Sequence, residues 1–214
     1  EPALEDLDLS FALELGRAGY AVAIHFSSSK ADAEALAQEV RAFGGASMAL
    51  NADLRDAGAI NCLIERCCAT LGAPTCLVNN AAEFNFDSLN CLTADSWNRH
   101  LDLNLRAPVL LAQAFARALP RQGTGNIINI VDQRAWKPTP TYFSYTLSKS
   151  ALWLATQMLA QALAPRIRVN AIGPGPVLKN VHQTNAEFEI ERTSTLLRRG
   201  TSPREIASAV RFIL

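Results

Sequence analysis

The sequence lacks an excess of either charge: Lys and Arg together number 20, and so do Asp and Glu. Without a basic field nothing draws the chain to phosphate backbones or anionic lipid, which argues against nucleic acid and membrane partners. It also lacks the spacings of metal and disulfide chemistry. The five cysteines, Cys62, Cys67, Cys68, Cys76 and Cys91, contain no C-x-x-C pair. Their odd count in a chain of 214 residues points to reduced core residues of a cytoplasmic protein. The three histidines, His25, His100 and His182, show no metal-ligand spacing. No apolar run is long enough to span a bilayer. The start, Glu1-Pro2-Ala3-Leu4-Glu5-Asp6, is acidic where a signal peptide is basic.

What is present is an ordinary apolar share of 49%, distributed in alternating periods. Strand-length apolar runs at Tyr20–Phe26, Ser47–Asn51, Thr75–Asn79, Asn126–Val131 and Ile167–Ile172 are separated by helical stretches. Those stretches lie near 10–18, 30–43, 56–71, 93–118 and 143–164, with a last one at 203–213. Near-continuous apolar strands between helices predict an α/β fold, a parallel sheet covered on both faces. Ser29 with Asp32, and Ser202-Pro203-Arg204-Glu205, read as helix starts. With no repeat, linker or low-complexity tract, residues 1–214 read as one domain. Within 143–164, Ala151, Leu152, Trp153, Leu154 and Ala155 run apolar around the whole helix. Such a helix has to be covered on all sides, by another subunit or within its own monomer.

The sharpest chemical signal is Tyr145-Thr146-Leu147-Ser148-Lys149. Residues four apart share a helix face, so the phenol and the ammonium lie side by side. A nearby cation favours the phenolate, which makes the tyrosine a usable proton donor near neutral pH. Asp132 closes the strand Asn129-Ile130-Val131-Asp132, and strand carboxyl ends are where a doubly wound sheet binds ligands. Asn79-Asn80-Ala81-Ala82 and Asn170-Ala171-Ile172-Gly173-Pro174-Gly175-Pro176 close two other strands. Asn104 precedes Pro108 by four residues, and proline offers no N–H to the Asn104 carbonyl, so the helix should bend there.

In this order and over residues 11–214, these segments resemble the short-chain dehydrogenase/reductase superfamily, whose fold is a Rossmann-like doubly wound parallel sheet. The resemblance implies that Tyr145 is the proton donor, that Lys149 lowers its pKa and grips the nicotinamide ribose, and that the Asn104 carbonyl serves a proton relay. It implies cofactor contacts from Asn80, Ala81, Pro174 and Gly175, and from Asp53 at the adenine, where the plain alternative is a loop or cap residue. An aspartate at Asp132 in place of the usual serine, with Asn79-Asn80-Ala81 followed by Phe84, is similar to the pteridine reductases and dihydromonapterin reductases. In those enzymes the aspartate and tyrosine pass a proton to a pterin ring and the phenylalanine stacks on it. Alternatively, Phe84 is a core or lid residue and Asp132 serves another carbonyl substrate.

The strand end Phe26-Ser27-Ser28-Ser29-Lys30 has no acid for a ribose 2′-OH. Ser27 and Ser28 suit a 2′-phosphate and therefore NADP(H), while Ser29 also serves as a helix cap. The family's first strand and its glycine-rich phosphate turn should lie at or before Asp8, in the middle of the sheet. The residues there are Pro2-Ala3-Leu4-Glu5-Asp6-Leu7-Asp8-Leu9, without a glycine, and the chain stops before the family's last strand. The domain is therefore expected to be incomplete at both ends and to bind NADPH poorly. Lys179 stands where the family usually has threonine after the Pro-Gly turn. The expected function is an NADPH-dependent reductase of a small pterin-like or carbonyl substrate, self-associating through the 93–118 and 143–164 helices. A non-catalytic, oligomer-forming member of the fold, or an epimerase or dehydratase, is the alternative.

Overall fold

A computed structural model describes residues 7–179 and 183–214. The alternation of periods becomes α1 (Leu7–Arg17), β1 (Val22–Phe26), α2 (Lys30–Ala42), β2 (Ser47–Asn51), α3 (Ala57–Leu71) and β3 (Cys76–Asn79). Then follow α4 (Ala94–Leu101), α5 (Ala107–Ala118), β4 (Gly125–Ile130), α6 (Phe143–Leu163), β5 (Ile167–Ile172), α7 (Asn185–Thr193) and α8 (Pro203–Ile213). All strand pairs are parallel.

The side-chain period of two sorts β4 onto two faces. Ile128 and Ile130 pack with Phe11 of α1 and Ile206 and Val210 of α8. Ile127 faces the other way, onto Phe115 of α5, with Val169 of β5. Asn129, also fully buried, accepts a hydrogen bond from Asn79 Nδ2 at 2.8 Å and donates to Thr156 Oγ1 at 2.9 Å. These bonds join β3, β4 and α6 at the level where the site begins. Gly173, just past β5, has a packing reason: a Cβ there would lie 2.5 Å from the Trp136 ring.

One parallel sheet was expected, but among the described residues the strands form two. β1 pairs with β2, and β3–β4–β5 make a separate sheet. A cavity of about 390 Å³ separates β1 from β3, lined by Ala23, Ile24, Leu77 and Val78 and roofed by Phe11 and Leu15 of α1. The gap falls where the resemblance places the first strand. Asp8 is already helical, and residues 1–6, where the rest of the acidic start lies, fall outside the described residues, as does His182.

Other expectations need correction. The helix 93–118 is three segments, because Asp102–Arg106 form a π turn in which the Ala107 N–H reaches back five residues to the Asp102 carbonyl. The bend foreseen from Pro108 is thus a widened turn rather than a kink, with Asn104 at its centre. Ser29 makes no side-chain cap, whereas Ser202 and Glu205 form a reciprocal capping box. Helix α7 went unforeseen because none of its residues is buried, so it carries no core-facing stripe. The five thiols are unpaired, but Cys62 and Cys91 are exposed rather than in the core. Burial pushes the Cys76 thiol up to about 12.

Candidate active site

Helix α6 carries the tyrosine and lysine on its buried face, with Tyr145, Ser148, Lys149, Leu152 and Thr156 turned inward. Asp132 follows β4 and accepts a hydrogen bond from the Arg134 N–H at 2.8 Å, which fixes its carboxylate at the strand end. The Tyr145 hydroxyl donates to Asp132 Oδ2 at 2.8 Å, so the two predicted residues meet directly. Lys149, only 3% exposed, donates to the Ile130 carbonyl at 2.8 Å, at the end of the same strand. One of its three N–H groups is thereby used, which leaves two for a ligand.

The electrostatics correct the sequence reading. The Tyr145 phenol is held well above its ordinary value, first by burial and then by the Asp132 carboxylate that accepts its proton. The cation that pulls it down is Arg134, not Lys149. Lys149 sits 5.9 Å from the centre of the Tyr145 ring, and its ammonium is aimed at a backbone carbonyl. Burial lowers its own pKa to about 8, partly opposed by Asp132. In this geometry Tyr145 is a neutral donor and Lys149 a group poised to exchange its proton near neutrality.

Asn104 is fully buried and works through its side chain. Its Oδ1 accepts from the Glu83 N–H at 2.8 Å, while Nδ2 donates to the Glu83 carbonyl at 2.9 Å and to Ser148 Oγ at 3.1 Å. Both polar backbone groups of Glu83 are thus clamped beside the loop residue Phe84. That ring stacks on Tyr142 with centroids 4.4 Å apart and an interplanar angle of 8°, and meets Tyr145 edge-on at 4.5 Å. Arg134 lies over the Tyr142 ring at 4.9 Å. Tyr142 and Arg134 were missed in the sequence. Their spacing signal is weak, a tyrosine one turn before Tyr145 and an arginine two residues after Asp132, and the stack forms only when the β3–α4 and β4–α6 loops meet.

A cleft of about 1360 Å³ runs from Ser27 and Ser28 past Asn80 and Ala81 to Lys149, Tyr145, Phe84, Pro174 and Gly175, with Lys179 also on its wall. At its far end Asp53 is engaged by Arg55, which donates from Nε at 3.0 Å and from its backbone N–H at 2.9 Å. This pairing lowers the Asp53 carboxyl. Asn80 Nδ2 donates to Asp8 Oδ1 at 2.8 Å, which brings a carboxylate into the cleft. The structure therefore brings Asp132, Tyr145 and Lys149 together, with Asn104 behind them and Phe84 in front, and sets Ser27, Ser28, Asp53 and Asn80 along one continuous wall.

A family profile described as short chain dehydrogenase matches residues 7–189. Among solved structures, the chain is similar to the FolM alternative dihydrofolate reductase 1 from Brucella canis complexed with NADP. That likeness has 40% identity and a TM-score of 0.93, covering 97% of this chain and 82% of that one. A short chain dehydrogenase from Burkholderia cenocepacia in complex with NADP is 31% identical with a TM-score of 0.90, covering 97% and 85%. Among curated relatives, the 3-oxoacyl-acyl-carrier-protein reductase of Staphylococcus aureus is 30% identical over 207 residues, which is 95% of this chain and 84% of that protein. With the profile spanning most of the chain, this protein belongs to the short-chain dehydrogenase family.

Proposed function

We propose that the protein is an NADPH-dependent reductase of a flat, nitrogen-containing heterocycle of the pterin type. The observation that carries this reading is the 2.8 Å bond between the Tyr145 hydroxyl and the Asp132 carboxylate, beside the Phe84 ring. The pair offers the cleft one mobile proton and one anionic acceptor. A ketone oxygen is an acceptor only and would be repelled by the carboxylate. A heterocycle edge with a ring nitrogen next to an N–H satisfies both partners. Phe84, backed by Tyr142, supplies an aromatic wall for a planar ring. The FolM likeness at 40% identity favours the same substrate class.

The cleft suits the cofactor at several points. Ser27 and Ser28 at the end of β1 would take the 2′-phosphate, Lys149 the nicotinamide ribose, and Ala81, Pro174 and Gly175 the neighbouring wall. Asp53 would stand near the adenine. Asp8 suits a phosphate poorly, because like charges repel. When bound, NADPH supplies the hydride. The protein's own work is with the proton. Tyr145 gives its hydroxyl proton to the substrate nitrogen, Asp132 receives the adjacent substrate N–H, and Lys149, with its pKa near 8, returns a proton to the phenolate.

Self-association belongs to the same reading. Leu147, Leu154 and Met158 stand 41%, 57% and 63% exposed along the outer face of α6. Trp153, within the same apolar run, is half-buried and packs edge-on against Trp136 at 5.2 Å. An apolar stripe on a catalytic helix suits burial against a second copy, with α4 and α5 alongside.

The function is tested by following NADPH oxidation with a dihydropterin and with an acyclic 3-oxo thioester. Preferential turnover of the pterin is expected. Preference for the thioester would favour a fatty-acyl-type reductase instead, and no turnover of either would remove the catalytic reading.

A further inference from the structure

Three buried polar side chains lie behind the reacting tyrosine and have no part in the proton path. They are His100 near the end of α4, Ser144 in the first turn of α6, and Asp87 in the loop between β3 and α4, exposed by 1%, 0% and 1%. Their hydrogen bonds have one consistent assignment. The backbone N–H of Asn85 donates to His100 Nε2 at 3.1 Å, and a backbone N–H is only ever a donor. The proton of the neutral imidazole therefore sits on Nδ1, which donates to Ser144 Oγ at 2.7 Å. The Ser144 hydroxyl in turn donates to Asp87 Oδ2.

Asp87 also solves a problem for α6. The first N–H groups of a helix need partners, and a cap residue usually provides one from its side chain. Tyr142, at the cap position of α6, has φ 54°, in the left-handed region, and makes no side-chain cap. Asp87, 57 residues earlier in the chain, accepts from the Ser144 N–H at 3.1 Å instead, and its carbonyl accepts from the Tyr142 N–H at 2.8 Å. A carboxylate at a helix N-terminus also meets the positive end of the helix dipole.

The loop is pinned at alternate residues. Glu83 is held by Asn104, Asn85 by His100, and Asp87 by Ser144. The residues between them, Phe84 and Phe86, both contact the Tyr142 ring. This is the period-two alternation of an extended segment.

We propose that His100, Ser144 and Asp87 are positioning residues: together they cap the catalytic helix in trans and set the aromatic wall of Phe84 in register with the Tyr145 hydroxyl. The inference rests on the reading that Phe84 and Tyr145 face the substrate. Burial holds the His100 pKa below its ordinary value even though Asp87 and Glu83 oppose the shift, with Arg99 acting in the same sense as burial. The neutral ring required by the hydrogen bonds is thus also the favoured one.

Two isosteric replacements separate the two ends of the imidazole. His100→Asn keeps a donor near the Nδ1 position and so the link to Ser144 and the cap, but loses the Asn85 pin. The KM for the dihydropterin should rise about ten-fold, the scale of one buried hydrogen bond, with kcat nearly unchanged. His100→Gln keeps an acceptor for Asn85 and loses Ser144, so kcat should fall by about the same factor with KM moving less. The dissociation constant for NADPH should hold in both. Loss of all three parameters in proportion to the folded fraction, or no change in any, would overturn the proposal. Ring nitrogen NMR of the unmodified protein needs neither a mutant that folds nor a substrate. It should show His100 as the Nδ1–H tautomer, titrating below an ordinary histidine, and an Nε2–H tautomer would refute the proposal. Because that measurement requires no turnover, it decides the positioning claim even if the dihydropterin proves not to be a substrate.

Discussion

The half of the molecule that moves the proton and the half that faces the dinucleotide are built in opposite ways. Around β3, β4, β5 and α6 a chain of buried polar pairs runs inside the protein: Asn79 with Asn129, Asn129 with Thr156, Asn104 with Glu83 and Ser148, Lys149 with Ile130. Along the wall that faces the dinucleotide the polar pairs are exposed, Asp53 on Arg55 and Asn80 on Asp8, and among the described residues no strand pairing joins β1 to β3. The catalytic half is therefore preorganised before any ligand arrives. The cofactor half holds its side chains in contacts that a ligand has to displace.

If that contrast is sound, substitutions in the two halves should separate rate from cofactor affinity. The largest effect is expected from Tyr145→Phe, which removes the proton donor and leaves the fold packed. Its kcat should fall by roughly 10²–10⁴-fold with little change in NADPH affinity, and steady-state kinetics beside a fluorescence titration will check both. An equal loss in both quantities would break the division.

Lys149 joins the halves, and pH should expose it. Its ammonium loses a proton near pH 8 in the folded protein, against an ordinary value of 10.5. NADPH binding should therefore weaken as pH rises through about 8. Stability should move the other way: between those two values the unfolded chain holds a proton that the native state has released, so stability rises with pH. Parallel titrations should therefore show the dissociation constant and the denaturation midpoint both rising with pH above about 8.

A smaller change, confined to the cofactor half, is expected from Asp8→Asn. Removing a carboxylate from the wall should tighten NADPH by about five-fold, with the pterin KM unchanged, as calorimetry would show. The smallest effect is on stability, in its pH dependence through His100. The unfolded chain takes a proton near the ordinary 6.5 while the native state resists it, so stability should decline as pH falls below that value. His100→Asn should flatten that slope in urea melts.

How much of this was legible depends on how far the interaction reaches along the chain. Tyr145 and Lys149 are one helical turn apart, and Asp132 closes an apolar strand, so period and strand end sufficed to bring them into one site. Pro108 announced the disturbance at Asn104 through a missing N–H, though not that it would be a π turn or that the Asn104 side chain would clamp Glu83. Ser144 bonds to His100 and Asp87 across 44 and 57 residues, and no periodicity encodes such a meeting. The tyrosine pKa was misjudged for a related reason. Spacing brings the lysine near the phenol, but the Ile130 carbonyl and the Asp132 carboxylate decide where each proton points.

The central claim is that the Asp132–Tyr145 pair selects a substrate carrying an N–H beside its proton acceptor. It is tested most directly by measuring the ratio of kcat/KM for a dihydropterin to that for an acyclic ketone, in the unmodified protein and in Asp132→Ser. Serine keeps a hydrogen-bonding oxygen next to Tyr145 but removes the anionic acceptor. The ratio should favour the pterin in the unmodified protein and fall by about ten- to a hundred-fold in the variant, the worth of one charge-assisted hydrogen bond. A ratio that stays the same, with both substrates slowed equally, would contradict the account.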